Sequence, residues 1–255
     1  AHGSFEVDTS TIVHWAMEEP GGGTAADDAG GYTLTWVNAP AVVQGISGNA
    51  REFLGGPENR GGYGAVPSAA DRARAQGLIT IEATLRAHST GAAPTTYIAS
   101  LVGNLIGLNS VDNAAFIFAL NSSAQFTVLH EYGSGSYHQA VFSAYTLPLE
   151  RWETVACVRR GTAPNIYYDL YIRGLLVQVV GPFASAPNGG SSARWAIAYQ
   201  GFAGGLNRYF DGDLDEISVS DTARSASSIK ARSDSFFALA RRPTFRFRRW
   251  NRRHP

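Results

Sequence analysis

Cysteine occurs once in the 255 residues, at Cys157, and lysine once, at Lys230. A single thiol excludes an internal disulfide framework and any zinc centre built from several thiolates. Its setting, Thr154-Val155-Ala156-Cys157-Val158, is that of a buried strand thiol. No apolar run approaches the roughly 18 residues that a membrane span needs, so no membrane insertion is expected. The opening Ala1-His2-Gly3-Ser4 does not read as a secretion signal. Charged residues make up only 16%, against 44% hydrophobic residues and 28 glycines, the balance of a chain of strands joined by turns rather than of a disordered one.

Alternation of apolar and polar residues with period 2 recurs between turn signals. In residues 78–86, Ile79, Ile81, Ala83 and Leu85 are expected to face a core, with Thr80, Glu82, Thr84 and Arg86 on the opposite face. Further strands are predicted at 96–102, 115–120, 125–131, 139–144, 153–159, 167–172, 175–180, 194–199 and 214–219. Glycine pairs such as Gly61-Gly62, Gly189-Gly190 and Gly204-Gly205 suit the turns between them. Only one short helix is predicted, capped by Ser225 and presenting Ile229, Phe236 and Leu239 on one side. A chain of this length can form a single all-β domain. With no repeat and no composition break before about residue 240, one domain over 1–240 and a C-terminal arm over 241–255 are expected.

Three stretches carry a resemblance. Near the C-terminus runs Phe210-Asp211-Gly212-Asp213-Leu214-Asp215-Glu216-Ile217-Ser218-Val219, followed by Asp221-Thr222-Ala223-Arg224-Ser225. Before it, Trp152-Glu153-Thr154-Val155-Ala156 precedes Tyr168-Asp169-Leu170-Tyr171-Ile172-Arg173-Gly174, in which Arg173 stands where an Asp or Asn is usual. Nearest the N-terminus are His14-Trp15, Asp27-Asp28-Ala29-Gly30 and Gly48-Asn49-Ala50-Arg51-Glu52-Phe53. In order and spacing these resemble the laminin-G-like branch of the concanavalin A-like lectin and glucanase superfamily. The resemblance implies an antiparallel two-sheet jelly-roll sandwich. It does not choose a function, because such folds serve as lectins, adhesion modules, glycanases and virion proteins.

The densest carboxylate group is Asp211, Asp213, Asp215 and Glu216. On a regular strand the three aspartates would share a face and could present oxygens to a hard cation. Gly212 is misplaced for an EF-hand, and no acid follows at the twelfth position. The resemblance implies instead a structural calcium held between the opening aspartate loop and the closing strand, which would recruit Asp27 or Asp28 with Asp215. A solvated acidic turn with a structural carboxylate is the competing reading. Glycoside hydrolysis needs two carboxylates about 5–5.5 Å or 6.5–9.5 Å apart across the scissile bond. Asp211–Glu216 is the only run that imitates such a set, and it is better explained as the closing signature. No metalloprotease, P-loop or nucleophile-elbow motif is present, so no catalytic residues are assigned and the chain is expected not to be an enzyme.

Glycan binding needs aromatic faces and neighbouring polar groups. Tyr63, Tyr132, Tyr137, His138, Trp195, Tyr199 and Asn207 lie in or beside glycine-rich loops and are the candidate rim residues. His14 and His88 read as ordinary side chains. The arm is distinctive: residues 241–255 hold seven arginines and no acid, leaving 14 basic against 21 acidic groups, a net −7, on residues 1–240. Arg241, Arg242, Arg246, Arg248, Arg249, Arg252 and Arg253 interleave with Phe245, Phe247 and Trp250, a pattern suited to clipping onto an acidic neighbouring subunit and, less well, to nucleic acid. Two functions follow as expectations: a non-catalytic recognition module for glycans or another surface ligand, and a virion-type assembly protein whose arm contacts its neighbours. Either would act at an extracellular surface or in a virion.

Overall fold

The computed structural model describes residues 5–55, 60–90, 95–103, 116–133, 136–188, 194–200 and 208–240. In chain order the first strands are β1 (Thr11–Trp15), β2 (Thr24–Ala25), β3 (Leu34–Val37), β4 (Ala41–Gln44), β5 (Asn49–Leu54) and β6 (Arg60–Tyr63). Helix α1 (Ala69–Gln76) leads into β7 (Ile79–Ala87), β8 (Thr95–Gly103), β9 (Phe116–Asn121), β10 (Phe126–Gly133) and β11 (Ser136–Val141). Then come β12 (Glu153–Arg160), β13 (Ile166–Ile172), β14 (Leu175–Phe183), β15 (Arg194–Ile197), β16 (Tyr199–Gln200), β17 (Arg208–Tyr209), β18 (Asp211–Ser220) and helix α2 (Ala226–Ala240).

Two antiparallel sheets face each other. The first has the order β14-β13-β12-β7-β18-β5-β4, with β1 also paired to β18, and the second β11-β10-β9-β8-β15-β6-β3-β2. The predicted jelly-roll sandwich is therefore the observed one, and the mid-chain strands fall close to their predicted places. Short strands rich in glycine or small residues, such as β4 and β6, lack enough alternation to be read from sequence.

Alternation sets the core. Ile79, Ile81, Ala83 and Leu85 of β7 all point inward and are fully buried. Facing strands contribute Phe116, Phe118, Phe126 and Trp195, which meet Trp15, Phe53 and Phe210. Trp15 anchors the arrangement: its ring lies 6.0 Å from Trp195, edge to face, and its Nε1 donates to the Tyr32 carbonyl at 2.8 Å. Cys157 is buried as expected, and burial raises its thiol pKa well above the ordinary range.

Helix α2 starts where predicted, with the Ser228 amide donating to Ser225 Oγ at 3.3 Å. Ile229, Ser233 and Phe236 are buried at its contact side, and Ile229 packs on Ala156, Val158 and Tyr171 of the first sheet's outer face. The face of β7 expected to be solvated is thus a second buried layer, with Thr80, Glu82 and Thr84 at 0–2% exposure. Helix α1 was not predicted. Its eight residues are opened by Ser68, whose Oγ accepts from the Asp71 amide while Asp71 accepts from Ser68 Oγ, a signal the short, polar segment did carry.

Arg173 and Gly174 form the two-residue turn between β13 and β14, at φ 50° and 76°. Arg173 adopts a backbone that favours Asn or Gly because its side chain is held: Nε pairs with Glu153 at 2.5 Å and a terminal nitrogen donates to the Trp152 carbonyl at 3.0 Å. Among the described residues, no helix is long and apolar enough to cross a membrane. The arm at 241–255 lies outside the described residues.

Truncating Trp195 to Ala removes an aromatic from the centre of the sandwich. Urea denaturation is expected to show a loss of about 3–5 kcal/mol; a loss below about 1 kcal/mol, the range of surface positions, would contradict its place in the core.

Candidate functional site

The predicted rim residues separate. Trp195 is a correction: odd positions of β15 point inward, so the ring is fully buried against Trp15 and cannot line a ligand site. Tyr63 lies on the outer face of the second sheet, half-buried, with the Arg194 guanidinium 5.9 Å from its ring centroid. Strand β6 lies four places from β10 and five from β11 in that sheet, so at about 4.8 Å per strand Tyr63 is roughly 19–24 Å from Tyr132, Tyr137 and His138. Tyr199 is on β16, which pairs with β17 through Tyr199↔Tyr209, and Asn207 lies outside the described residues.

Tyr132 and His138 do come together, at the end of the β10–β11 hairpin, while Tyr137 lies on the opposite face of that hairpin. Pairing sets His130 opposite His138 and Glu131 opposite Tyr137, so the two histidines face inward and Tyr137 outward. Tyr132 stacks on His138 with centroids 4.4 Å apart and planes inclined by 30°. Behind this pair, His138 lies 5.1 Å from Phe183 and 5.1 Å from His130. Tyr132 remains 38% and Tyr137 53% exposed. The result is an aromatic cluster at the open edge between the sheets, its inner rings buried and its outer ones wet.

His130 holds the inner end. Its Nε2 lies 3.0 Å from the Ser185 carbonyl and so carries the ring proton, while Nδ1 accepts from the Tyr168 hydroxyl at 2.7 Å. Burial drives the His130 pKa down to about 4 and the Tyr168 hydroxyl up to about 12.

The carboxylates are spent differently. Asp27 is a clasp for backbone: Oδ1 accepts from the His14 and Ala29 amides at 2.8 and 3.0 Å, and Oδ2 from the Gly31 and Tyr32 amides at 3.0 and 2.8 Å. Asp28 faces His14 Nδ1 at 3.3 Å, and His14 Nε2 faces Glu216 at 3.4 Å. Asp215 accepts from the Ile46 and Ser47 amides at 2.7 and 3.3 Å. Its pKa rises to about 8, chiefly through desolvation and then the Glu216 charge. The calcium ligand set drawn from Asp27, Asp28 and Asp215 is therefore not assembled. An imidazole stands between the opening loop and the closing strand, and Asp215 turns to a different loop.

Nor do Asp211, Asp213 and Asp215 form one row. Asp211 accepts from Ser89 Oγ, and Asp213 pairs with Arg86 Nε at 2.6 Å. The register shifts between Leu214 and Ile217, a bulge that takes Asp215 out of step. Sequence reading missed His88, which lies beside Asp213 and Glu150. No local pattern joins positions 88, 150 and 213.

A family model of the laminin G type, described as the concanavalin A-like lectin/glucanases superfamily, matches residues 59–230. The chain belongs to this family. No curated protein sequence matches it significantly. Among solved structures, the Trypanosoma rangeli sialidase in complex with sialic acid superposes at TM-score 0.62 with 14% identity, over 91% of this chain and 34% of the sialidase. The binding domain of Paraclostridial Mosquitocidal Protein 1 gives 0.64 with 12% identity, over 89% of this chain and 52% of that one. Domain 4 of AbnA, a GH43 extracellular arabinanase from Geobacillus stearothermophilus, in complex with arabinotriose, gives 0.56 with 13% identity, over 88% and 98%. The chain thus spans about a third of the sialidase's length, and likeness at this identity shows the fold alone.

The His130 pKa sets an acid limb. Above 6.5 the ring is neutral in both folded and unfolded chain; as pH falls from 6.5 toward about 4, only the unfolded chain takes up the proton, so stability declines across that window. Asp8 and Asp71 have lowered pKa values, and their contributions are lost only below 3.8. Asp215 and Glu82, whose pKa values are raised by burial, act in the opposite sense over the same window, so the His130 contribution is read as a difference: between pH 7 and 4 the wild type is expected to lose stability relative to His130→Gln, and equal slopes would mean that His130 is not buried neutral.

Proposed function

We propose that the chain is a non-catalytic glycan-recognition module whose ligand rests against Tyr132 and His138. The observation that carries this reading is the Tyr132–His138 stack, 4.4 Å between centroids, at a hairpin end where Tyr132 keeps 38% of its surface in water. Phe183 and His130 hold the inner ring of that stack in place, so the platform is preorganised. Sugar C–H faces pack on such rings, and the neighbouring Ser185 and Asn188 backbone keeps polar groups close by: the Asn188 amide donates to the Glu131 carbonyl at 2.7 Å. The sialic acid and arabinotriose complexes of two structural neighbours are in keeping with a sugar ligand. Non-catalytic action is supported by the closing-strand carboxylates, of which Asp213 is tied to Arg86 and Asp215 to two backbone amides.

Titration calorimetry of the full chain against glycans found on an array is the test. Tyr132→Ala and His138→Ala are each expected to weaken binding by about 3- to 10-fold, equivalent to about 0.5–1.5 kcal/mol, without release of reducing sugar. Absence of any glycan binding by a folded sample would remove the reading, and binding unchanged in both variants would move the site elsewhere.

The seven arginines of 241–255 set against a body of net −7 support a second reading, assembly through the arm. Light scattering at two salt concentrations, with and without residues 241–255, separates the two. A salt-sensitive assembly that needs the arm favours the structural role.

A further inference from the structure

Outside the aromatic hairpin, and among the described residues, a group of side chains on the outer face of the first sheet has the donor set of a metal centre. Glu52 of β5 pairs across the ladder with Asp213 of β18, which pairs with Arg86 of β7. His88 follows β7 by one residue, and its amide donates to the Asp211 carbonyl at 3.0 Å, extending the same ladder. The register thus brings a Glu, an Asp and a His from three chain segments to one spot. His88 Nε2 lies 3.4 Å from Asp213 Oδ1 and 4.0 Å from Glu52 Oε1, and the three donor atoms all lie within 4.8 Å of one another.

Two further observations point to a ligand. Asp213 is fully buried, and while its Oδ2 pairs with Arg86, its Oδ1 accepts no hydrogen bond of good geometry; His88 Nε2, also out of water, makes none. Buried polar atoms left in this state are costly unless something lies between them. The other ring nitrogen is also committed: Nδ1 faces both Glu150 oxygens at 3.0 Å, and the Glu150 amide donates to the Ala87 carbonyl at 2.8 Å, which fixes that carboxylate beside the ring. A carboxylate on Nδ1 selects the tautomer whose Nε2 lone pair is free, the arrangement that orients metal-binding histidines.

We infer that Glu52 Oε1, His88 Nε2 and Asp213 Oδ1 form a binding site for one divalent transition-metal ion of the zinc class, with Glu150 as the positioning residue for His88. A tetrahedral zinc ion with ligands at about 2.0–2.1 Å separates neighbouring donors by about 3.3 Å, so His88 and Asp213 already stand at bonding separation and Glu52 must close by at most about 1.5 Å. Glu52 is 33% exposed and His88 22%, so that closure is open to a partly free side chain and a fourth position remains for water. Charge agrees: the carboxylates of Glu52, Asp213 and Glu150 outnumber the one Arg86 guanidinium beside them, which favours a dication. An imidazole donor favours zinc-class ions over calcium, which prefers all-oxygen sets. The ion would staple β5, β18 and the end of β7, and it is independent of the glycan reading.

The full chain, freed of metal by chelator and shown folded by circular dichroism, is titrated with Co²⁺ while visible absorption is followed, then with Zn²⁺ in competition. One equivalent with d–d bands of low-symmetry coordination is expected, displaced by zinc. Five other histidines are present, so the variants decide the location. His88→Ala and Glu52→Gln, both at partly exposed positions, are expected to abolish that equivalent and to weaken it at least tenfold, respectively. Glu150→Gln is expected to weaken it 10- to 100-fold, with the bands kept. A wild type that binds no Co²⁺ or Zn²⁺, or an equivalent that survives in His88→Ala, overturns the proposal and leaves His88 as an ion-pair partner of Asp213.

Discussion

Backbone pairing along Asp211–Ser220 ties both ends of the domain to its middle. Strand β18 runs beside β7 for its length on one edge, while its other edge is shared between β5, at Asp211–Leu214, and β1, at Ile217–Ser220. Leu214 opposes Leu85 and Ile217 opposes Ala83, so β18 spends one residue more than β7 over this stretch. The extra residue corrects the parity: both Leu214 and Ile217 reach the core, which an uninterrupted alternation would forbid. Asp215 and Glu216, at the bulge, are released from the ladder. One holds the 45–47 turn and the other takes the Phe5 amide, at 2.6 Å, and His14. Gly212, at φ 149° and lying against the Arg86 carbonyl, is the position in this strand where a Cβ has no room.

The outer face of the first sheet follows from that strand. Side chains that alternation turns away from the core do not meet water there, because α2 and the chain before β1 cover much of it. Buried charge is tolerated only where it is paired. Glu82 meets Arg232 at 2.9 Å and Arg224 at 3.6 Å, Asp213 meets Arg86, and Glu153 meets Arg173. Glu82 is still pushed upward in pKa by its desolvation, which the two arginines oppose. Carboxylates that look like a row in the sequence are therefore distributed among separate partners. Where a partner falls short of hydrogen-bond geometry, as between His88 and Asp213, the same burial leaves donor atoms facing one another.

The opposite edge of the sandwich obeys a different rule. At the β10–β11 hairpin the two sheets end without a covering element among the described residues, so inward-facing rings grade from the buried His130 through the half-buried His138 to the wet Tyr132. Candidate ligand residues chosen for lying near glycine-rich loops do not share one direction. Strand parity sends Trp195 into the core and Tyr137 outward, and spacing across the sheet removes Tyr63 from the group. Parity follows from pairing partners, which lie far away in the chain.

Local pattern alone determined the antiparallel sandwich, the mid-chain strands, the capped start of α2, the inert thiol of Cys157 and the family to which the chain belongs. These rest on period-2 alternation, turn residues and short motifs, all of which act over a few neighbouring residues. Tertiary structure decided what each polar side chain does: that Asp27 clasps four backbone amides, that His14 stands between Asp28 and Glu216, and that Glu52, His88, Glu150 and Asp213 meet. Those outcomes depend on register, on one bulge and on which faces a helix covers. Such long-range pairings leave no periodic trace in the sequence.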